Sequence, residues 1–224
     1  MRKVTILSTI ELNKTQCELF SKNNIELLQY NFITNSPLKF KLPKHKGSWI
    51  FTSKNAVHSV YSSKEKEKCN TKPHYCVGEK TKLELIKNGQ KVIKNSKNSL
   101  ELANFLLKNS KSEKYIFCRG SIVNKDFSDF FNTNGMCLKE IPVYKTKLTP
   151  KKINSTLDGI MFFSPSAVKS FIKKNDLKKS ECFCIGNTTS NFAENFSNSI
   201  HFCDEPSIEN VINKTINFFK NVHN

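Results

Sequence analysis

Four short segments carry the residues best suited to chemistry, and they come in two matched pairs. Thr52-Ser53 follows the apolar run Trp49-Ile50-Phe51, and Ser164-Pro165-Ser166 follows Ile160-Met161-Phe162-Phe163. Gly78, with Thr81, follows Tyr75-Cys76-Val77, and Gly186, with Thr188 and Thr189, follows Phe183-Cys184-Ile185. Each segment sets small or hydroxyl residues between a strand-like run and a helix-like one. The first N–H groups of a helix lack intrahelical partners, and a Ser or Thr hydroxyl at the N-cap accepts from one of them. The same donors, at the positive end of the helix dipole, also bind a carboxylate or phosphate, and Gly lets a ligand approach the backbone. Capping alone accounts for any single turn. Four such turns at the carboxyl ends of neighbouring parallel strands point further, because open α/β sheets hold their ligands along that edge.

The elements that position these turns are themselves repeated. Ser164 stands 111 residues after Ser53, and Gly186 stands 108 after Gly78, in a chain of 224. Asn24-Ile25-Glu26-Leu27 and Gly135-Met136-Cys137-Leu138 are a weaker echo, as are Ser99-Leu100-Glu101-Leu102 and Ser207-Ile208-Glu209-Asn210. Offsets that nearly halve the chain predict one succession of elements in each half. Short apolar runs near 3–7, 25–33, 48–51, 74–77 and 91–93 read as strands, with helices near 11–23, 54–62, 79–88 and 99–109. The second half offers strands near 114–118, 136–145, 158–163, 182–185 and 200–203, and helices near 122–133, 166–174, 189–195 and 207–220. This alternation predicts parallel sheets with helices on both faces. Phe32 to Gly47 and Thr146 to Asp158 lack a helical pattern and contain Pro37, Pro43 and Pro150, so they read as linkers. Either each half folds alone, or the chain crosses over and each domain takes strands from both halves.

Composition narrows the function. An apolar content of 38% with 18 Phe supports packed cores. A mean hydropathy of -0.47 and no apolar run of about 18 residues argue against a membrane-spanning helix. Arg2-Lys3 is followed only by Val4-Thr5-Ile6-Leu7 before polar residues return, so no secretory leader is expected and the location expected is cytoplasmic. Cys17, Cys69, Cys76, Cys118, Cys137, Cys182, Cys184 and Cys203 form no CxxC pair and read as buried thiols. His45, His58, His74, His201 and His223 are scattered without ligand spacing, so no metal is expected. GxGxxG, GxxxxGK[ST] and GxSxG are absent, which argues against dinucleotide, phosphate-loop and serine-hydrolase chemistry. The net charge of +17 would attract a polyanion, but the lysines are dispersed in a Lys-, Asn- and Ile-rich chain, and nucleic acid is not the expected partner.

Taken in order, Phe51-Thr52-Ser53, Val77-Gly78-Glu79-Lys80-Thr81, Phe163-Ser164-Pro165-Ser166 and Ile185-Gly186-Asn187-Thr188-Thr189 resemble the uroporphyrinogen-III synthase family. Phe117-Cys118-Arg119-Gly120 looks like its strand ending in Arg-Gly, Val143-Tyr144-Lys145-Thr146 like its Val-Tyr-x-Thr, and Pro206 like its late Pro. The resemblance spans nearly the full chain. It implies two flavodoxin-like parallel-sheet α/β domains joined by a two-stranded antiparallel linker, one domain being discontinuous in sequence. Residues 1–28 and 149–224 would form that domain, 29–36 and 141–148 the linker strands, and 37–140 the inserted domain.

The resemblance also implies an activity: cyclisation of hydroxymethylbilane, a linear tetrapyrrole octacarboxylate, to uroporphyrinogen III, with inversion of the last pyrrole ring and loss of water. No cofactor is implied, and a monomer is expected. Tyr144 becomes the candidate acid, its phenol donating to the departing hydroxyl, with packing as the plainer alternative. Arg119 and Gly120 join Thr52, Ser53, Gly78, Thr81, Ser164, Ser166, Gly186, Thr188 and Thr189 as candidate substrate contacts. An ordinary salt bridge is the other reading of Arg119. If the resemblance holds, the two sets of turns face one another across one cleft. Where that family often carries Thr-Arg-Pro after its first strand, this chain has Ser8-Thr9-Ile10, so no Arg contact is expected there. A non-catalytic tetrapyrrole- or polyanion-binding module on the same fold is the alternative.

Overall fold

The computed structural model describes residues 3–44, 47–70, 72–122, 125–177 and 179–222. Its elements fall into two compact units, Met1–Thr34 with Lys147–Asn224, and Asn35–Thr146. The chain therefore passes twice from one unit to the other.

The discontinuous unit holds strands β1 (Val4–Ser8), β2 (Ile25–Gln29), β9 (Gly159–Phe162), β10 (Glu181–Cys184) and β11 (Ile200–Phe202). They form one sheet in the order β11-β10-β9-β1-β2, with all neighbours parallel. Parallel strands need crossovers that cover the sheet faces, so the central strands are apolar on both sides. Leu7, Ile160, Phe162, Cys182 and Cys184 face α6 (Pro165–Phe171) and α7 (Asn187–Ala193). Their alternates Ile6, Met161 and Phe183 face α1 (Lys14–Lys22) and α8 (Ile208–Val222). Helix α1 starts where Asn13 and Gln16 form a reciprocal capping box. On α8 the buried Val211, Ile212, Thr215, Ile216 and Phe219 recur at helical spacing.

The continuous unit holds β4 (Ser48–Phe51), β5 (His74–Val77), β6 (Val92–Ser96), β7 (Lys114–Gly120) and β8 (Cys137–Leu148), with β3 (Ile33–Pro37) added at one edge. The order is β3-β8-β7-β4-β5-β6, and the pairs β8-β7, β7-β4, β4-β5 and β5-β6 are parallel. One face packs Trp49, Phe51, Cys76, Ile116 and Cys118 against α2 (Lys54–Tyr61) and α3 (Glu79–Lys87). The other packs Ile50, Tyr75, Tyr115 and Phe117 against α4 (Ser99–Ser110) and α5 (Asp126–Thr133). Val123 and Asn124, within the expected helix 122–133, lie outside the described residues.

Apart from β3, both sheets have the strand order of a flavodoxin-like fold, 2-1-3-4-5. In the first it reads β2-β1-β9-β10-β11, and in the second β8-β7-β4-β5-β6. Each sheet draws strands from both halves of the chain: apart from β3, each half gives two strands to one sheet and three to the other.

Two expectations change. The run 25–33 is not one strand but β2 and β3, broken where Tyr30 and Phe32 N–H donate to the Ser8 and Thr9 carbonyls. The thiols also divide. Cys69, Cys76, Cys118, Cys182, Cys184 and Cys203 are buried, whereas Cys17 is half-buried and Cys137, at the start of β8, is exposed. Burial pushes Cys69, Cys76 and Cys184 up to about 12, which keeps them protonated at neutral pH.

His74 is fully buried on β5, between the Tyr61 hydroxyl at 2.7 Å from Nε2 and the Lys72 carbonyl at 2.7 Å from Nδ1. The carbonyl fixes Nδ1 as the protonated nitrogen, so Nε2 accepts from Tyr61. Burial pushes the imidazole down to about 4, against an opposing contribution from the Lys72 carbonyl. The unfolded chain then binds a proton that the folded one refuses. Stability is lost as pH falls from about 6.5 to about 4, by ~3 kcal/mol in all. Urea unfolding across that window should show the loss, and it should shrink in a His74→Phe/Tyr61→Phe pair, which removes the imidazole without orphaning the phenol.

Candidate active site

In each sheet the strand order reverses between two central strands, and the carboxyl ends of such a pair are where open α/β sheets hold their ligands. In the continuous unit these strands are β4 and β7. β4 leads through Thr52 into Ser53, the N-cap of α2, whose Oγ accepts from Asn55 N–H at 3.2 Å. β7 ends in Arg119 and Gly120. On the next strand, the pairing shifts between Arg119 and Gly120: Arg119 lies opposite Pro142 and Gly120 opposite Tyr144, leaving Val143 extra. This bulge turns the half-buried Tyr144 inward over Gly120, and its hydroxyl donates to Ser53 Oγ at 3.2 Å. Ser53, Gly120 and Tyr144, remote in sequence, thus meet at one point, with Thr52 half-buried beside Ser53.

Arg119 is already engaged. Its Nε pairs with Glu140 on β8, and Nη1 donates to the Gly120 carbonyl at 2.8 Å. Nothing in the sequence marks Glu140, which reaches Arg119 diagonally only because β7 and β8 pair side by side. A substrate carboxylate would have to compete with Glu140 for this guanidinium.

At the second turn of this unit Gly78 has φ +83, a left-handed conformation that favours Gly, and nothing lies within 4 Å of where a Cβ would be. Thr81 does not share that opening. It is 4% exposed and one helical turn from the buried Leu85, so it belongs to the core stripe of α3. The Glu79 carboxylate sits at the start of α3, bonded by Asn95 and Lys82 at 3.0 Å each.

The discontinuous unit repeats the frame with different detail. Ser164 caps α6, its Oγ accepting from Ala167 N–H at 3.2 Å, and Ser166 is half-buried in the first turn. Gly186 is buried and extended, and a Cβ there would lie 3.3 Å from Pro206, so the turn is filled by the protein itself. Thr188 is exposed, whereas Thr189, 3% exposed and one turn before the buried Ala193, faces inward as Thr81 does. The Ser8-Thr9-Ile10 segment is closed on itself, with Thr9 Oγ1 donating to Met161 O at 2.7 Å and Ser8 Oγ to Ile10 O at 2.6 Å. A cavity of about 700 Å³ in this unit is lined by residues such as Asn175, Leu177, Glu194 and Phe196, in the loops entering β10 and β11. It therefore opens at the opposite, amino ends of the strands.

Among the described residues no group of three or more His, Cys, Asp or Glu could hold a metal, and no helix is long and apolar enough to cross a membrane. His45 and His223 lie outside those residues.

Two flavodoxin-like sheets, with hydroxyl-bearing turns at the carboxyl ends of their strands, define a class of two-unit α/β protein. The sequence profile described as uroporphyrinogen-III synthase HemD matches residues 18–213, and the chain belongs to that family. A curated relative, the porphyrin biosynthesis protein HemD of Ruminiclostridium josui, is 25% identical over 116 residues. That match covers 47% of this chain and 23% of the relative, so the chain spans about a quarter of that protein's length. Among solved structures, uroporphyrinogen-III synthetase from Helicobacter pylori superposes with a TM-score of 0.72 at 18% identity, covering 97% of this chain and 100% of that one. A mutant uroporphyrinogen III synthase from Thermus thermophilus gives 0.68 at 11% identity, covering 98% and 99%. Identities this low speak for the fold alone.

Ser164→Ala separates the cap from any further role of that hydroxyl. Losing the cap should cost about 1 kcal/mol in chemical denaturation, with most of it restored by Ser164→Thr.

Proposed function

We propose that this chain is a uroporphyrinogen-III synthase, a hydro-lyase that cyclises hydroxymethylbilane to uroporphyrinogen III with inversion of the last pyrrole ring and release of water. The observation that carries this reading is the Tyr144 phenol, bonded to Ser53 at the carboxyl ends of β4 and β7. A phenol there can donate to a departing hydroxyl, and Ser53, at the N-terminus of α2, stabilises negative charge beside it. Thr52, Ser166 and Thr188 are the proposed carboxylate contacts, with Arg119 joining them if the substrate draws it from Glu140, while Gly78, beside the Glu79 carboxylate, gives the substrate room at the backbone. The +17 charge favours approach of an octacarboxylate. Most of the rate enhancement would come from holding the chain folded so that the hindered carbon closes the ring. The protein would act without cofactor, as a cytoplasmic monomer on a small molecule.

Purified protein given freshly prepared hydroxymethylbilane should form uroporphyrinogen III faster than the spontaneous closure to uroporphyrinogen I. Formation of the I isomer alone, at the uncatalysed rate, would overturn the assignment. Tyr144→Phe should slow turnover at least tenfold with the fold retained, as expected for loss of a useful proton donor. An unchanged rate would leave Tyr144 a packing residue.

A further inference from the structure

We infer that Gly120 is a positioning residue, a steric slot in which the absence of a side chain lets the Tyr144 ring lie flat enough for its hydroxyl to reach Ser53. This rests on the catalytic reading of Tyr144 only for its consequence in turnover, since the slot itself is a matter of geometry. A Cβ on Gly120 would stand 2.8 Å from Tyr144 Cζ, 3.0 Å from Oη and 3.1 Å from Cε2. All three atoms belong to the reactive end of the phenol.

The backbone around the slot is held from both sides. The Gly120 carbonyl accepts from Arg119 Nη1 at 2.8 Å, and Arg119 is fixed in turn by Glu140. The next N–H, that of Ser121, donates to the Tyr144 carbonyl at 2.8 Å. The extra residue Val143, buried in the core, anchors the bulge that aims the ring. Gly120 has no left-handed φ, so its backbone would accept Ala without strain. The atoms a methyl would meet are the far end of one side chain. The ring would therefore yield while the fold stays, and the phenol would leave Ser53. On this reading Arg119 and Glu140 also act through the slot, by holding the Gly120 peptide.

Tyrosine labelled with ¹³C at Cζ, with the Tyr144 resonance assigned through Tyr144→Phe, reads the slot without any turnover. In Gly120→Ala the Tyr144 resonance should move towards its position in Ser53→Ala, with Tm shifted by no more than a few degrees. Turnover of hydroxymethylbilane should fall at least tenfold in kcat with KM within about threefold, and Gly120→Ala should add less than twofold in a Tyr144→Phe background. A resonance that stays in place overturns the slot, whatever the activity. If the resonance moves but the wild-type protein makes no uroporphyrinogen III, the slot stands and the enzyme reading fails. Should Gly120→Ala not fold, Gly120→Ala/Tyr144→Leu decides: recovery of the fold identifies Tyr144 as the group the methyl meets, and failure of both overturns the proposal.

Discussion

Strand β8 has two partners that run in opposite senses, and most of the architecture follows from that. From Cys137 to Tyr144 it pairs in parallel with β7. Further along, Val143 O accepts from Leu38 N–H at 3.0 Å, Thr146 bonds Asn35 at 2.7 Å, and Thr149 N–H donates to Phe32 O at 3.0 Å. These pairs keep one antiparallel register with β3. A strand shared in this way is committed to the sheet of one unit before the chain leaves for the other. It also does not stay regular: with Val143 added, the alternation resets, and Val143 and Tyr144 both reach the same core instead of opposite faces.

The duplication supplies equivalent positions, which makes the differences between the units informative. Ser53 and Ser164 cap equivalent helices. At the same repeat spacing, Ser8 and Thr9 correspond to Arg119 and Gly120. In the discontinuous unit, Thr9 spends its hydroxyl on the Met161 carbonyl and closes the loop. In the continuous unit, Gly120 leaves room and Tyr144 takes it. The same frame thus carries a self-satisfied turn in one place and the hydrogen-bonded Tyr144–Ser53 pair in the other. The departure at Ser8-Thr9-Ile10 is structurally coherent, since each polar side chain finds a local partner.

The sequence made the frame legible because buried parallel strands are continuous apolar runs, and two recognisable turns at a fixed offset order everything between them. Helix boundaries fell within a few residues for the same reason: Asn13, Ser53, Asn98 and Ser164 are capping residues readable by type. Strand β3 was not legible. Thr34, Asn35, Ser36 and Pro37 are exposed, so no apolar alternation marks the strand, and only pairing with β8 defines it. Part of the candidate site was hidden for a similar reason. Thr81 and Thr189 read as free hydroxyls because sequence does not say which way the third residue of a helix points, whereas i to i+4 pairing with Leu85 and Ala193 turns both inward. The approach of Tyr144 to Ser53 depends on a one-residue register shift, which no local pattern encodes.

The same physics separates the four turns from one another. The first turn of α3 carries Glu79, whose carboxylate already answers the helix N-terminus and is bonded by Lys82 and Asn95. An incoming carboxylate would meet a like charge there. The first turn of α7 holds Asn187 and Thr188 and no acid, and that of α6 holds none either. On the proposed reading, the starts of α2, α6 and α7, which carry no acid, are then better suited than that of α3 to accept an anion, and Tyr144 supplies the proton donor. A tetrapyrrole octacarboxylate needs both, many weak anion contacts to fix its conformation and one well-aimed hydroxyl where the bond breaks. On that reading the repeated turns offer the anion contacts, and the one-residue register shift in β8 sets Tyr144 apart as the donor.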